Sequence, residues 1–273
     1  FRQIDDAEVT FRKDGSPAES LQNVGEGYYI GTYVPREGDN LRITASCNGF
    51  DPVECETQMV SPTPVISVDT MNTRMEKSFF YNYGYDENGY LVPFDSTEYL
   101  QFESDMTVTF EDPANIANYY AMELNLHVCY SSGEVFDKVI GYTSDDMVFR
   151  TNDLISFNNG NSQLLYPFSD ELFDGKKYSL KIKAASNYWN YDFPGYWNYD
   201  FPAGKDYSKI TGQEIQVTLR SLSPSYYLYL KTRGATNSAP DFFMEPVQIY
   251  TNIKGGIGIF GNYSNATYGI PLN

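Results

Sequence analysis

His127 is the only histidine in the sequence. It stands in a run, Glu123, Asn125, His127, Cys129, whose period of two puts all four on one strand face. Glu, His and Cys are metal-ligand types. Side chains two apart on a strand lie roughly 6–7 Å from each other, so a metal would need ligands converging from elsewhere. With one histidine and isolated cysteines, an ordinary strand face is expected. His127 is also the one base available to a Ser-His-Asp or Cys-His arrangement, and no partner adjoins it in sequence. No G-x-S-x-G, H-E-x-x-H or phosphate-loop pattern occurs. Carboxylates for glycoside hydrolysis are abundant, but none has a distinctive setting. The expectation is a non-catalytic chain without metal or cofactor.

Recognition chemistry is better represented. Tyr188-Trp189-Asn190-Tyr191-Asp192-Phe193-Pro194 recurs as Tyr196-Trp197-Asn198-Tyr199-Asp200-Phe201-Pro202, joined by Gly195, and holds both tryptophans. Two copies are too few for a solenoid. Pro and Gly place the repeat in a long loop or hairpin extension, residues 187–204, between strand patterns. Tyr188, Trp189, Tyr191, Tyr196, Trp197 and Tyr199 offer flat amphipathic rings for a ligand or partner. The alternative is an insertion that packs on its own body. Acidic turns are frequent: Asp86-Glu87-Asn88-Gly89, Glu111-Asp112-Pro113, Asp145-Asp146, and Asp170 with Asp174-Gly175. Such turns can bind calcium, but none has EF-hand spacing, and Asp and Asn are what tight turns use. Cys47 and Cys55 fall on the apolar phase of adjacent strand patterns. They can form a disulfide in an oxidising compartment or remain two buried thiols.

The elements that must position these groups are strands. Val9 and Phe11 alternate with polar neighbours before the turn at Asp14-Gly15. Tyr28–Val34, Leu41–Cys47 and Val53–Met59 follow, each after a turn signal. Short strands at this spacing predict an immunoglobulin-like β-sandwich over residues 1–65. Ser61-Pro62-Thr63-Pro64 is a stiff extended connector, with the junction within about residues 61–70. Residues 66–273 predict a larger β-sandwich. Met106, Val108 and Phe110 alternate, as do Tyr120 to Val128, Tyr178 to Ala184, and Ile215 to Leu219. One short helix is predicted, capped by Ser223, opened by Pro224 and stopped at Gly234, covering an open end or edge. The fold class is all-β.

The net charge is -17 with aromatic content of 16%. A field of that sign repels phosphate backbones and disfavours nucleic acid or anionic lipid. No apolar run reaches membrane-spanning length. The sequence opens at Phe1, which reads as a processed or truncated chain.

Four ordered phrases carry a family resemblance. They are Phe110-Glu111-Asp112-Pro113 with Asn118-Tyr119-Tyr120; Phe168-Ser169-Asp170-Glu171-Leu172-Phe173-Asp174-Gly175; Ser221–Lys231; and Glu245-Pro246-Val247 through Gly255-Gly256-Ile257-Gly258-Ile259-Phe260-Gly261. With Ala7–Gly15 and Gly49-Phe50, they resemble the DUF4249 family of Bacteroidota over nearly the whole chain. The glycines of the last phrase read as close backbone packing or bulges, because no phosphate-binding helix follows. The resemblance implies a lipoprotein of the outer membrane, at the cell surface, held by an N-terminal lipid anchor that precedes Phe1. It implies an accessory or ligand-capture subunit for a TonB-dependent, SusC-like outer-membrane receptor, alongside other surface lipoproteins. It supplies no catalytic residues. The family's usual first strand is expected to be missing before Ala7. In that setting Asp69-Thr70-Met71 and Asp95-Ser96-Thr97 resemble bacterial O-glycosylation sites at Thr70 and Ser96. The competing expectations are a structural or adhesive surface protein and a glycan-active enzyme.

Overall fold

The computed structural model describes residues 3–150, 165–185, 209–237 and 248–272. Six short strands come first: β1 (Glu8–Lys13), β2 (Ser16–Ser20), β3 (Gln22–Gly25), β4 (Tyr28–Ile30), β5 (Asn40–Ser46) and β6 (Val53–Gln58). They give a four-stranded sheet in the order β2-β1-β5-β6 and a separate β3-β4 hairpin. Asp14 and Gly15 both adopt positive φ, 46° and 79°, the backbone that a two-residue hairpin requires. Val9, Phe11, Leu41 and Cys55 are buried. The expected strand over Tyr28–Val34 ends early, at Ile30. Beyond it the Glu19 carboxylate accepts the N–H groups of Thr32 (2.9 Å) and Tyr33 (2.8 Å), so a side chain replaces the ladder. Asp39 takes Lys13 Nζ at 2.9 Å, the Tyr33 hydroxyl and the Arg36 N–H. Lys13 chiefly, then Arg36, lowers its carboxyl to about 2.

The remaining strands are β7 (Val65–Tyr85), β8 (Leu91–Glu111), β9 (Tyr119–Tyr130), β10 (Val135–Thr143), β11 (Pro167–Ser169), β12 (Lys177–Ala185), β13 (Ile210–Leu222) and β14 (Tyr263–Pro271). Among the described residues two helices accompany them, α1 (Met147–Arg150) and α2 (Pro224–Asn237). The sheet order is β14-β13-β9-β10-β12-β8-β7, with β11 beside β9. The end strands β14 and β7 meet, so the large sheet curls round its own core. The predicted alternations fill that core: Met106, Val108 and Phe110 from β8, Tyr120 to Val128 from β9, Leu180 and Ile182 from β12, and Ile215, Val217 and Leu219 from β13. Each buried large apolar side chain contributes about 1.5–3 kcal/mol. Phe168 and Phe173 close one end, with Val148 and Phe149 of α1 in the same core.

Helix α2 starts as predicted: the Tyr226 N–H donates to Ser223 Oγ at 3.4 Å. It runs through Gly234 to Asn237, because a lone glycine is only a weak stop. Tyr227 of α2 packs with Tyr119, Ala121 and Leu222 over the start of β9, and its ring stacks on Tyr119 at 4.3 Å.

The glycine-rich phrase joins the two sheets. Glu54 of β6 and Lys254 form an antiparallel bridge. A Cβ on Gly255 would meet the Pro52 carbonyl at 2.9 Å, and one on Gly256 would meet Val53 at 3.1 Å. A Cβ on Gly261 would meet Tyr226 Cβ at 2.7 Å. These are the close backbone approaches expected of that phrase. Asn262 donates to Thr57 Oγ1 and the Gln58 carbonyl, and Ser264 to the Val60 carbonyl. The connector is likewise tied down: Thr63 is buried and its N–H donates to Ser221 Oγ at 3.1 Å.

Candidate functional site

Two features stand out, a buried acidic node and an exposed ribbon. The node forms at one end of the large sheet, where β8 leaves for the Asp112-Pro113 turn and the chain after β11 turns through Asp170 to Gly175. Asp112 and Asp170 are only 3% and 5% exposed. Asp112 accepts the Tyr120 hydroxyl at 2.5 Å and the Gly175 N–H at 2.9 Å. Asp170 accepts the Asn118 N–H at 2.7 Å, and Asp174 accepts the Asn115 N–H at 3.0 Å. Tyr120 reaches on to Thr63 Oγ1 at 3.3 Å. Burial first, and then the neighbouring Asp112 and Asp174 charges, push the Asp170 carboxyl up. Burial and the Asp112 carboxylate hold the proton on Tyr120.

The three aspartates bring one ligand oxygen each within 4.8 Å of the others, and among the described residues they are the group able to hold a metal ion. Each already spends a carboxylate oxygen on a backbone N–H, which is turn clamping rather than a preformed oxygen cage. Single acidic turns were visible in the sequence. Their convergence was not, because Asp112 and Gly175 are 63 residues apart.

The ribbon is the distal part of β7 and β8. β12 pairs with β8 only from Glu103 to Glu111. From Arg74↔Glu103 to Tyr85↔Leu91, β7 and β8 pair with each other alone among the described strands, a reach of about 40 Å. A register shift between Met71 and Arg74, with Asn72 at φ 54°, marks a bulge where the ribbon departs. At its tip Asp86 accepts the N–H groups of Asn88 and Tyr90. Tyr81, Tyr83 and Tyr85 share one face of β7 and are exposed, Tyr85 to 79%, with Tyr90 and Leu91 beside them. The alternation Tyr81-Asn82-Tyr83-Gly84-Tyr85 before Asp86-Glu87-Asn88-Gly89 was the sequence signal, there read only as an acidic turn.

The other predicted positions fall as follows. Tyr188, Trp189, Tyr191, Tyr196, Trp197 and Tyr199 lie outside the described residues. Cys47 and Cys55 form no disulfide with each other. Cys55 stands opposite Ile43, so Cys47 lies roughly 13 Å further along the strand and the pairing is not made. Thr70 is exposed on β7. Ser96 lies on β8 opposite Tyr81, its side chain outside the described ones. His127, expected on a plain strand face, meets Asp137 across the β9-β10 ladder at 2.5 Å, and Cys129 at 3.6 Å.

Among the described residues no helix is long and apolar enough to cross a membrane. No curated protein and no solved structure matches the chain. One family model does, described as a domain of unknown function (DUF4249), over residues 1–269. The phrases quoted from the sequence supply the acidic node, the opening of α2 and the glycine contacts between the sheets. The chain belongs to the DUF4249 family.

Proposed function

We propose that this protein is a non-catalytic binding subunit, lipid-anchored at the outer-membrane surface, that assists a TonB-dependent, SusC-like receptor in capturing or passing on a ligand. The single observation that carries the reading is the tyrosine face of the β7-β8 ribbon. Tyr81, Tyr83, Tyr85 and Tyr90 stand exposed on a projecting element. Rings so exposed add little to the protein's own core. Tyrosine offers large contact area and a hydroxyl for few rotatable bonds, which is why such residues dominate recognition surfaces. The pairing of β8 with β12 up to Glu103, and the Thr63 bond to Ser221 just before β7, give the ribbon a firm base. Location, anchor and receptor come from the family's implied setting.

The test is a pull-down from native membranes followed by mass spectrometry. The account expects a transporter of the outer membrane with the wild-type chain. Replacing Tyr83 and Tyr85 together by Ala should weaken its recovery by about thirtyfold or more if they act as interface anchors. Recovery of the chain alone from wild-type membranes would defeat the proposal.

A structural or adhesive role is the second reading, favoured by the ribbon's backbone edges, which suit strand addition. It calls for concentration-dependent polymers on size-exclusion chromatography.

A further inference from the structure

The outer face of β9 carries a constellation separate from the ribbon. His127 and Asp137 are register partners on β9 and β10, with Nδ1 and Oδ1 2.5 Å apart. A carboxylate only accepts, so the neutral ring carries its proton on Nδ1. Nε2 is then a lone pair, and Cys129 Sγ lies 3.6 Å from it. Nucleophile, base and orienting carboxylate thus stand in the order that assisted thiol attack requires. Across the ladder from Cys129 on β13 is Gly212. Among the described residues a Cβ built on Gly212 would meet nothing nearer than Cys129 Cβ at 4.0 Å, which leaves this flank of the thiol open to a reagent. Cys129 and His127 are both only half-buried.

The surroundings select the chemistry. Acyl transfer needs N–H donors aimed at an oxyanion. Cys129 is paired with Val135 on one side and Gly212 on the other, so the local backbone is engaged in ladders. Attack on a disulfide needs no such donors; it needs an approach to sulfur and a place for one proton. We infer that Cys129 is a site of reversible thiolation by low-molecular-weight disulfides, with His127 as base and Asp137 as its positioning residue.

In the step, Cys129 Sγ bonds to one sulfur of R–S–S–R and the reagent's S–S bond breaks. The thiol proton passes to His127 Nε2. The positive charge that develops on the ring is met by Asp137, with the Glu214 carboxylate on the facing position of β13. The proton then goes to the departing RS⁻, which leaves as R–SH. Cys129 is oxidised as the leaving sulfur is reduced.

The other cysteines lack this arrangement. Cys47 Sγ lies 3.4 Å from the Asp6 carboxylate, which would face a thiolate there with like charge. Cys55 is buried, and burial pushes its thiol up.

The test incubates the full chain with oxidised glutathione at neutral pH and follows each cysteine by peptide mass mapping. Cys129 should gain one glutathionyl group at least about tenfold faster than Cys47. His127→Gln should slow Cys129 by on the order of a hundredfold, with Cys47 unchanged. Asp137→Asn should give a smaller fall in the same direction. In concentrated urea, wild type and His127→Gln should react alike. Equal rates at Cys129 and Cys47 in the folded protein would overturn the inference. So would an unchanged Cys129 rate in His127→Gln, a parallel loss at Cys47, or a difference that persists in urea.

Discussion

At the residue scale the acidic node is where chemistry and stability meet. Tyr120 donates to Asp112 from a fully buried ring, and Thr63 sits on the same hydroxyl. Tyr120→Phe keeps the ring and strips a buried carboxylate of one donor. It should cost about 1.5–3 kcal/mol in urea denaturation, the worth of a hydrogen bond to a charged group.

Asp170 behaves in the opposite sense. Its folded carboxyl is raised above the ordinary 3.8, by burial first. Between the ordinary and the raised value the folded chain holds a proton that the unfolded chain has lost, so stability falls as pH rises through that window. Above it the cost is complete. Asp170→Asn retains an acceptor for the Asn118 N–H and removes the charge. The variant should be at least as stable as wild type at neutral pH, and the advantage should vanish on titration to pH about 4. An equal loss of stability at both ends would show that the carboxylate itself is required. Since each aspartate already clamps a backbone N–H, neither chelator nor added calcium should move the melting temperature; a clear calcium-dependent rise would make the node a cation site.

At the element scale the glycine-rich phrase is a joint. Gly261 faces Tyr226 Cβ at 2.7 Å from where its own Cβ would stand. Gly261→Ala should therefore destabilise by about 1–3 kcal/mol, the usual cost of overpacking. A neutral result would mean that α2 can shift away. The one-sided strands were legible because in-out alternation maps directly onto a buried and a wet face, as in Met106–Phe110 and Ile215–Leu219. The ribbon was not, because aromatic residues at exposed positions give no such contrast. Helix α1 was hidden by its length of four residues, with Asp146 read as a turn. There Asp146 accepts the Val148 N–H and the Tyr178 hydroxyl at 2.5 Å. The Cys47–Cys55 alternatives were open in sequence because phase alone does not give register; the Ile43↔Cys55 pairing decides it.

At the scale of the molecule, a strongly acidic surface surrounds an all-β scaffold whose sheets are joined by backbone contacts and hydrogen bonds. A net charge of -17 favours solubility and repels other polyanions, leaving aromatic and polar surfaces to do the recognising. The four family phrases were legible as words, and their meaning became physical only when the fold brought them together. The receptor-binding account is tested most directly by placing a photo-crosslinking amino acid at Tyr85, in cells that make the protein at natural level. The account predicts a covalent adduct with a TonB-dependent receptor from Tyr85, and none from a control position on the outer face of the N-terminal sheet. Illuminated cells that give no receptor adduct from Tyr85, or an equal adduct from both positions, would contradict it.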